Sequence, residues 1–189
     1  LSYSDEAGST LKHFDSSDSV IQLGSFEYSL SPEYGVAWVH AGRHAKRLLA
    51  VSYLGGYVTH DWRVQRAVAE YLSNRSPSKY LRRLRQVLAE RMETGLRRLS
   101  DKLPPGCSVT QPTGGFTCWV RAPLEFSASE AVWQLHHKGI GILPGPVFSA
   151  ARSFDNFFAL NLSFPWTEAN ELRIDAIAGA IAESQQRKR

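Results

Sequence analysis

The stretch from Ser76 to Leu103 constrains the fold more than any other part of the chain. Ser76-Pro77 reads as an N-cap followed by proline at the first helical position, where a missing N–H is no loss. Leu81, Leu84, Leu88, Met92, Leu96, Leu99 and Leu103 then recur at intervals of three and four, the spacing that lines up side chains on one stripe of a helix. Pro104-Pro105-Gly106 ends the run. A helix of more than twenty residues extends over roughly 30 Å. In a chain of 189 residues, the size of one ordinary domain or two small ones, such a helix is expected to bridge two subdomains.

Its outer face is basic. Nine Lys and Arg residues stand against three acids between Arg75 and Lys102, whereas the whole chain carries only +4, so the remainder is net acidic. Only one aromatic residue, Tyr80, falls among these basic residues, where a nucleic-acid groove would favour several. The stripe therefore reads as the solvated side of a helix that buries its leucine row.

The other classes fall away in turn. With 43% hydrophobic and 21% charged residues, a packed core is expected and disorder is not. No run of eighteen apolar residues exists, which excludes a membrane helix. The start, Leu1 to Glu6, is polar and acidic rather than a signal peptide, and the missing Met suggests a fragment. Cys107 and Cys118 form no C-x-x-C, which suits reduced thiols in a cytoplasmic protein. The six histidines make no zinc pattern, and the adjacent His136-His137 point about 100° apart on a helix; no metal site is expected. Neither a G-x-S-x-G elbow nor a phosphate-binding G-x-x-x-x-G-K-[ST] loop is present.

Around the long helix the pattern is mixed. Val20 to Leu23 and Gly35 to Val39 read as short buried strands of the kind that suit a sheet covered on both faces. Gly42 to Leu54 reads as a helix with Ala45, Leu48, Leu49 and Ser52 on one side. A second helix starts at Thr59 or Asp61, with Asp61 as N-cap and Val64, Val68, Tyr71 and Leu72 as its apolar face. Beyond the long helix, strands are expected at Phe116–Val120, Gly141–Leu143 and Phe157–Phe164. Ser127, with Glu130 at the capping-box position, opens a helix to Lys138, and Thr167 caps a last helix to about Ser184.

Four blocks in this order carry a family resemblance: Leu23-Gly24-Ser25-Phe26-Glu27-Tyr28-Ser29-Leu30-Ser31-Pro32, Pro112-Thr113-Gly114-Gly115-Phe116-Thr117-Cys118-Trp119, Pro144-Gly145-Pro146-Val147-Phe148, and Asn156 through Trp166. Together they resemble the second half of a fold-type-I aminotransferase, and most of all the aminotransferase-like domain of MocR-type regulators in the GntR superfamily. The resemblance implies a fold of α/β and α+β parts: a large-domain remnant over 1–75, then the linking helix and a small C-terminal domain over 76–189. It implies a homodimer, and a chain that begins just after the segment bearing the aspartate that pairs with the cofactor's pyridine nitrogen. On this reading DNA is contacted only through an N-terminal winged helix-turn-helix domain absent from this chain.

The departures from the family pattern bear on function. At the position of the lysine that forms a Schiff base with pyridoxal phosphate stands Tyr28, and a phenol forms no imine. At the phosphate-binding arginine stands Gly35, which removes a charge-assisted fork. The arginine that grips the substrate carboxylate aligns with Ala159, or with Asn161 if the register shifts. Of the relict pocket only Ser25 keeps its family identity. The resemblance thus implies a degenerate sensor or dimerisation part of a regulator, with no catalytic residue and no bound cofactor, pyridoxal phosphate belonging to active relatives. Emptied of cations, the pocket would suit a neutral or apolar effector, or nothing at all. The rival reading is an active pyridoxal-phosphate-dependent aminotransferase domain with unusual ligands.

Overall fold

Near the start of the chain, one carboxylate ties down a whole loop. The Asp15 side chain accepts hydrogen bonds from the backbone N–H of Ser19 at 3.0 Å and of Val20 at 2.8 Å, and from Lys12 Nζ at 3.0 Å. Lys12 also reaches Asp18 at 2.5 Å. These backbone donors hold the carboxyl of Asp15 well below the usual carboxylate range. They also take the Val20 N–H out of use, so strand β1 runs Gln22–Ser25 rather than from Val20. The structure, a computed structural model, describes residues 1–4, 8–55, 61–74 and 77–187.

Two compact units divide the chain: one made of Leu1 and Asp5–Leu84, the other of Ser2–Ser4 and Arg85–Arg189. In the first unit β1 pairs antiparallel with β2 (Ala37–His40), Leu23 opposite Val39 and Ser25 opposite Ala37. The expected two-sided cover is not found: Leu23 and Val39 are exposed, because among the described residues these strands pair only with each other. A 3₁₀ turn at Gly42–His44 leads into helix α1 (Ala45–Leu54), none of whose side chains is buried; the expected apolar side with Leu49 and Ser52 faces outward. In helix α2 (Trp62–Asn74) Asp61 acts as expected, its Oδ1 accepting from the Arg63 N–H at 2.9 Å. The alternative start at Thr59 lies outside the described residues. Val68 is buried but Leu72 is exposed, so the apolar face of α2 is narrower than its sequence suggests. Ala41 and Val68 are the only buried hydrophobic residues described in this unit.

The leucine row behaves as its spacing requires. Helix α3 spans Pro77–Lys102, with Leu88, Met92, Gly95 and Leu99 buried; Ser76 lies outside the described residues. Arg82, Arg83, Arg97 and Arg98 are exposed, while Arg85 is half-buried. The second unit builds its core between α3, a four-stranded antiparallel sheet and two further helices. The sheet order is β3-β4-β6-β5, for β3 (Ser108–Val109), β4 (Thr117–Arg121), β5 (Leu143–Pro144) and β6 (Phe157–Asn161). Strand β6 is shorter than the expected Phe157–Phe164, since the Leu162 N–H bonds to Phe116 O and the Ser163 N–H turns onto Asn161 Oδ1 at 2.8 Å. Helix α4 (Ala128–His136) is capped by Ser127, whose Oγ accepts from the Glu130 N–H at 3.3 Å, and helix α5 covers Glu168–Arg187. Cys118, Val120, Phe158 and Leu160 point from the sheet into a core shared with Leu99, Leu135, Ile177 and Ile181.

Close packing of α3 is enforced at Gly95. A Cβ there would lie 2.7 Å from Trp166 Cζ2, and Trp166 Nε1 donates to Arg91 O at 3.0 Å. Two ion pairs, Arg98–Glu171 at 3.0 Å and Lys102–Asp175 at 2.6 Å, join α3 to α5 along the rim. The second unit also recruits the beginning of the chain. The Tyr3 N–H donates to Thr113 O at 2.9 Å and its hydroxyl to Gly115 O at 3.0 Å, with the ring packed against the core. No described helix is long and apolar enough to cross a membrane.

Candidate functional site

The segment joining β1 to β2 collects three of the residues singled out in the sequence. Ser25 closes β1, the Phe26 N–H bonds to Val36 O at 2.9 Å, and Tyr28 sits in the intervening turn, whose Leu30 N–H returns to Phe26 O at 2.8 Å. Ser25, Tyr28 and Gly35 are thereby brought to one end of the ribbon. Tyr28 is 61% exposed.

Gly35 has a structural duty of its own. Ser31 Oγ accepts from the Glu33 N–H at 3.3 Å and Pro32 opens a single 3₁₀ turn, Pro32–Tyr34, which Gly35 closes at φ 57° and ψ 19°. That left-handed conformation suits glycine and is strained for a side chain with a Cβ. Gly35 also lines a groove with Phe26, Val36 and Ala37 from the ribbon and Gln65, Val68, Ala69 and Leu72 from α2. Gln65 is the only polar side chain among the described residues of that lining. The connecting segment from Phe26 to Val36 contains two carboxylates, Glu27 and Glu33, and no Lys or Arg. The cations Arg43, Lys46 and Arg47 follow the far end of β2.

Ala159 and Asn161 belong to the second unit, two residues apart on one face of β6. Register places Ala159 between Trp119 of β4 and Leu143 of β5, and Asn161 opposite Thr117. Ala159 is 4% exposed, shut in by its neighbours. This face is turned away from the core and carries aromatic side chains. The Trp119 ring centroid lies 5.2 Å from Phe148, edge to face, and 5.7 Å from Phe157, and Phe154 lies 5.4 Å from Phe157. Arg121 occupies the same face, opposite Phe157 in register. The alternation of Trp119 and Arg121 with the core residues Cys118 and Val120 is the period-two signature of this surface in the sequence. Cys118 is inert by burial, its thiol pushed up to about 12.

No protein-family model matches the chain. Over 172 residues it is 30% identical to the HTH-type transcriptional regulator YdcR of Escherichia coli, covering 91% of this chain and 36% of that regulator. The structure superposes on the multiple substrate aminotransferase of Thermococcus profundus with a TM-score of 0.88 and 26% identity, over 99% of this chain and 46% of that one. This chain has the fold of part of a fold-type-I aminotransferase. The α-aminoadipate aminotransferase LysN of Thermus thermophilus, solved with N-(5'-phosphopyridoxyl)-L-leucine, shares the fold of this domain at a TM-score of 0.88 and 24% identity, over 98% of this chain and 48% of that one. The aminotransferase-like chain thus spans between a third and a half of the length of the proteins it matches, and its relatives include both transcriptional regulators and aminotransferases.

Proposed function

We propose that this chain is the non-catalytic, effector-sensing part of a MocR-type transcriptional regulator of the GntR superfamily. In this reading residues 1–75 are the remnant of the large domain, residues 76–189 are the linking helix and small domain, and the protein works as a cytoplasmic homodimer. DNA is bound through an N-terminal helix-turn-helix domain, for which the kinship with HTH-type regulators is the support.

The observation that carries the reading is the donor set between β1 and β2. Pyridoxal phosphate offers an aldehyde to an amine and a phosphate dianion to a cation. Here Ser25 closes β1 with a hydroxyl, and the connecting segment offers the phenol of Tyr28 and the carboxylates of Glu27 and Glu33. The residues present do not fit the cofactor. Gly35 cannot be treated as a simple lost arginine either, because its left-handed cap favours a residue without a Cβ.

The test uses the full-length regulator mixed with pyridoxal phosphate, followed by its visible absorbance and by turnover of an amino acid with a keto acid. The expected result is a spectrum equal to that of the free cofactor and no turnover above it. A protein-bound aldimine band, or turnover clearly above the free cofactor, would establish the rival reading of an active aminotransferase with unusual ligands.

A further inference from the structure

We propose that the outer face of the β3-β4-β6-β5 sheet binds an aromatic carboxylate, with Trp119 and Phe148 against the ring and Arg121 paired with the carboxylate. The proposal rests on the sensing role above and names the chemical class of the effector.

The argument starts from register. Trp119 pairs with Ala159, and Arg121 with Phe157, on adjacent antiparallel strands. Cross-strand partners share a face, so all four lie on the side of the sheet turned away from the core. The position at which the family resemblance expects a carboxylate-gripping arginine holds Ala159, which is buried and chemically mute. Yet the face is not without a cation. Arg121 stands two residues along β4 from Trp119, about 6.5 Å at strand spacing, and it is exposed. Its planar guanidinium is suited to a two-point grip on a carboxylate. Among the described residues, no ion pair or side-chain hydrogen bond engages it. The nearest acid ahead of β6, Asp155, is held by Ser129 Oγ at 2.6 Å.

The rings supply the other half of the recognition. Phe148 is 57% exposed and meets Trp119 edge to face at 5.2 Å, and Phe157 holds Trp119 from the side at 5.7 Å. An aromatic ligand laid against Trp119 and Phe148 would extend this cluster with favoured ring geometry. An aliphatic acid would gain the ion pair alone, and an aromatic amine would place a second cation beside Arg121. Ring and carboxylate together are what this face distinguishes. The sequence-level expectation of a neutral effector follows from the positions of the lost cations; the sheet restores one from a different strand.

The experiment is titration calorimetry of the full chain with phenylacetate, alongside acetate and phenethylamine as controls. Saturable binding of phenylacetate is expected, with acetate and phenethylamine at least tenfold weaker. Arg121→Gln is expected to weaken phenylacetate binding tenfold or more, the cost of losing a charge-assisted contact. Phe148→Ala is expected to weaken it several-fold. Both side chains are exposed, and an unchanged far-UV circular dichroism spectrum establishes that the variants fold. Absence of saturable binding, or binding indifferent to Arg121→Gln, overturns the proposal. Its failure is distinct from that of the sensing role: a chain that forms no aldimine and ignores phenylacetate sinks only the ligand assignment, whereas an aldimine sinks the non-catalytic reading whatever Arg121 does.

Discussion

Replacing Gly95 by alanine should destabilise the protein, although alanine is the best helix former and glycine among the worst. In an exposed helix the exchange would gain about 1 kcal/mol. At position 95 the new Cβ would sit 2.7 Å from Trp166 Cζ2 and 2.9 Å from Leu162 Cδ1. Trp166 cannot slide aside freely, because its Nε1 donates to Arg91 O one turn earlier on the same helix. Overpacking of this kind costs about 1–3 kcal/mol, and a weakened indole hydrogen bond adds about 0.5–1.5 kcal/mol. Setting the helix gain against these leaves a net loss centred near 2 kcal/mol. Urea denaturation followed by circular dichroism would read it as a lower midpoint at unchanged slope. In a Trp166→Ala background the same exchange should cost clearly less, since only the Leu162 methyls then crowd the new Cβ. A Gly95→Ala protein that is more stable than wild type, with Trp166 intact, would refute the packing argument.

Three more outcomes are expected. Leu99 is fully buried, and Leu99→Ala should cost about 2–5 kcal/mol in the same denaturation assay. Asp15 has its carboxyl lowered in the fold from 3.8 by the N–H groups of Val20 and Ser19, so its contribution is present above that ordinary value and fades as pH falls below it. The stability gap between wild type and Asp15→Asn should accordingly shrink on acidification, as a pH series of melting curves would register. Cys118 shows the opposite sense: its thiol ionises at 9.0 when free and only at about 12 in the fold, so its contribution holds below pH 9 and declines as pH rises through that interval. A thiol reagent at pH 8 should therefore label Cys118 only on unfolding, as mass spectrometry of the modified peptides would show.

Where side-chain period alone decides an element, the sequence was a sufficient guide. The α3 leucine row, the Ser127 cap and the Asp61 cap all rest on local spacing, and each is present in the structure. Expectations failed where a distant or conformational cause intervened. Val20 is apolar enough for a strand, but the carboxylate of Asp15 captures its N–H. Leu49 of α1 satisfies helical spacing, yet no described element covers it. At the candidate site, Ser25, Tyr28 and Gly35 could be singled out from their order in the chain. The left-handed cap at Gly35 could not, because a glycine in a sequence does not reveal the sign of its φ. The cross-strand setting of Arg121 and Trp119 is not legible in the sequence, because a single charged or aromatic residue acquires meaning only when the neighbouring strand is in register.

Leu1 apart, the placement of Tyr3 makes the first unit an insertion within the second. The chain leaves the second unit after Ser4 and re-enters it at Arg85. Seating Tyr3 on Thr113 and Gly115 closes a loop across 112 positions, and for a flexible chain that closure costs on the order of 4 kcal/mol. Whatever order forms inside the loop shortens its flexible contour and lowers that cost. Folding of the ribbon and helices of the first unit thereby tightens the hold on Tyr3 through chain entropy, a cooperativity that needs no side chain to pass from one unit to the other.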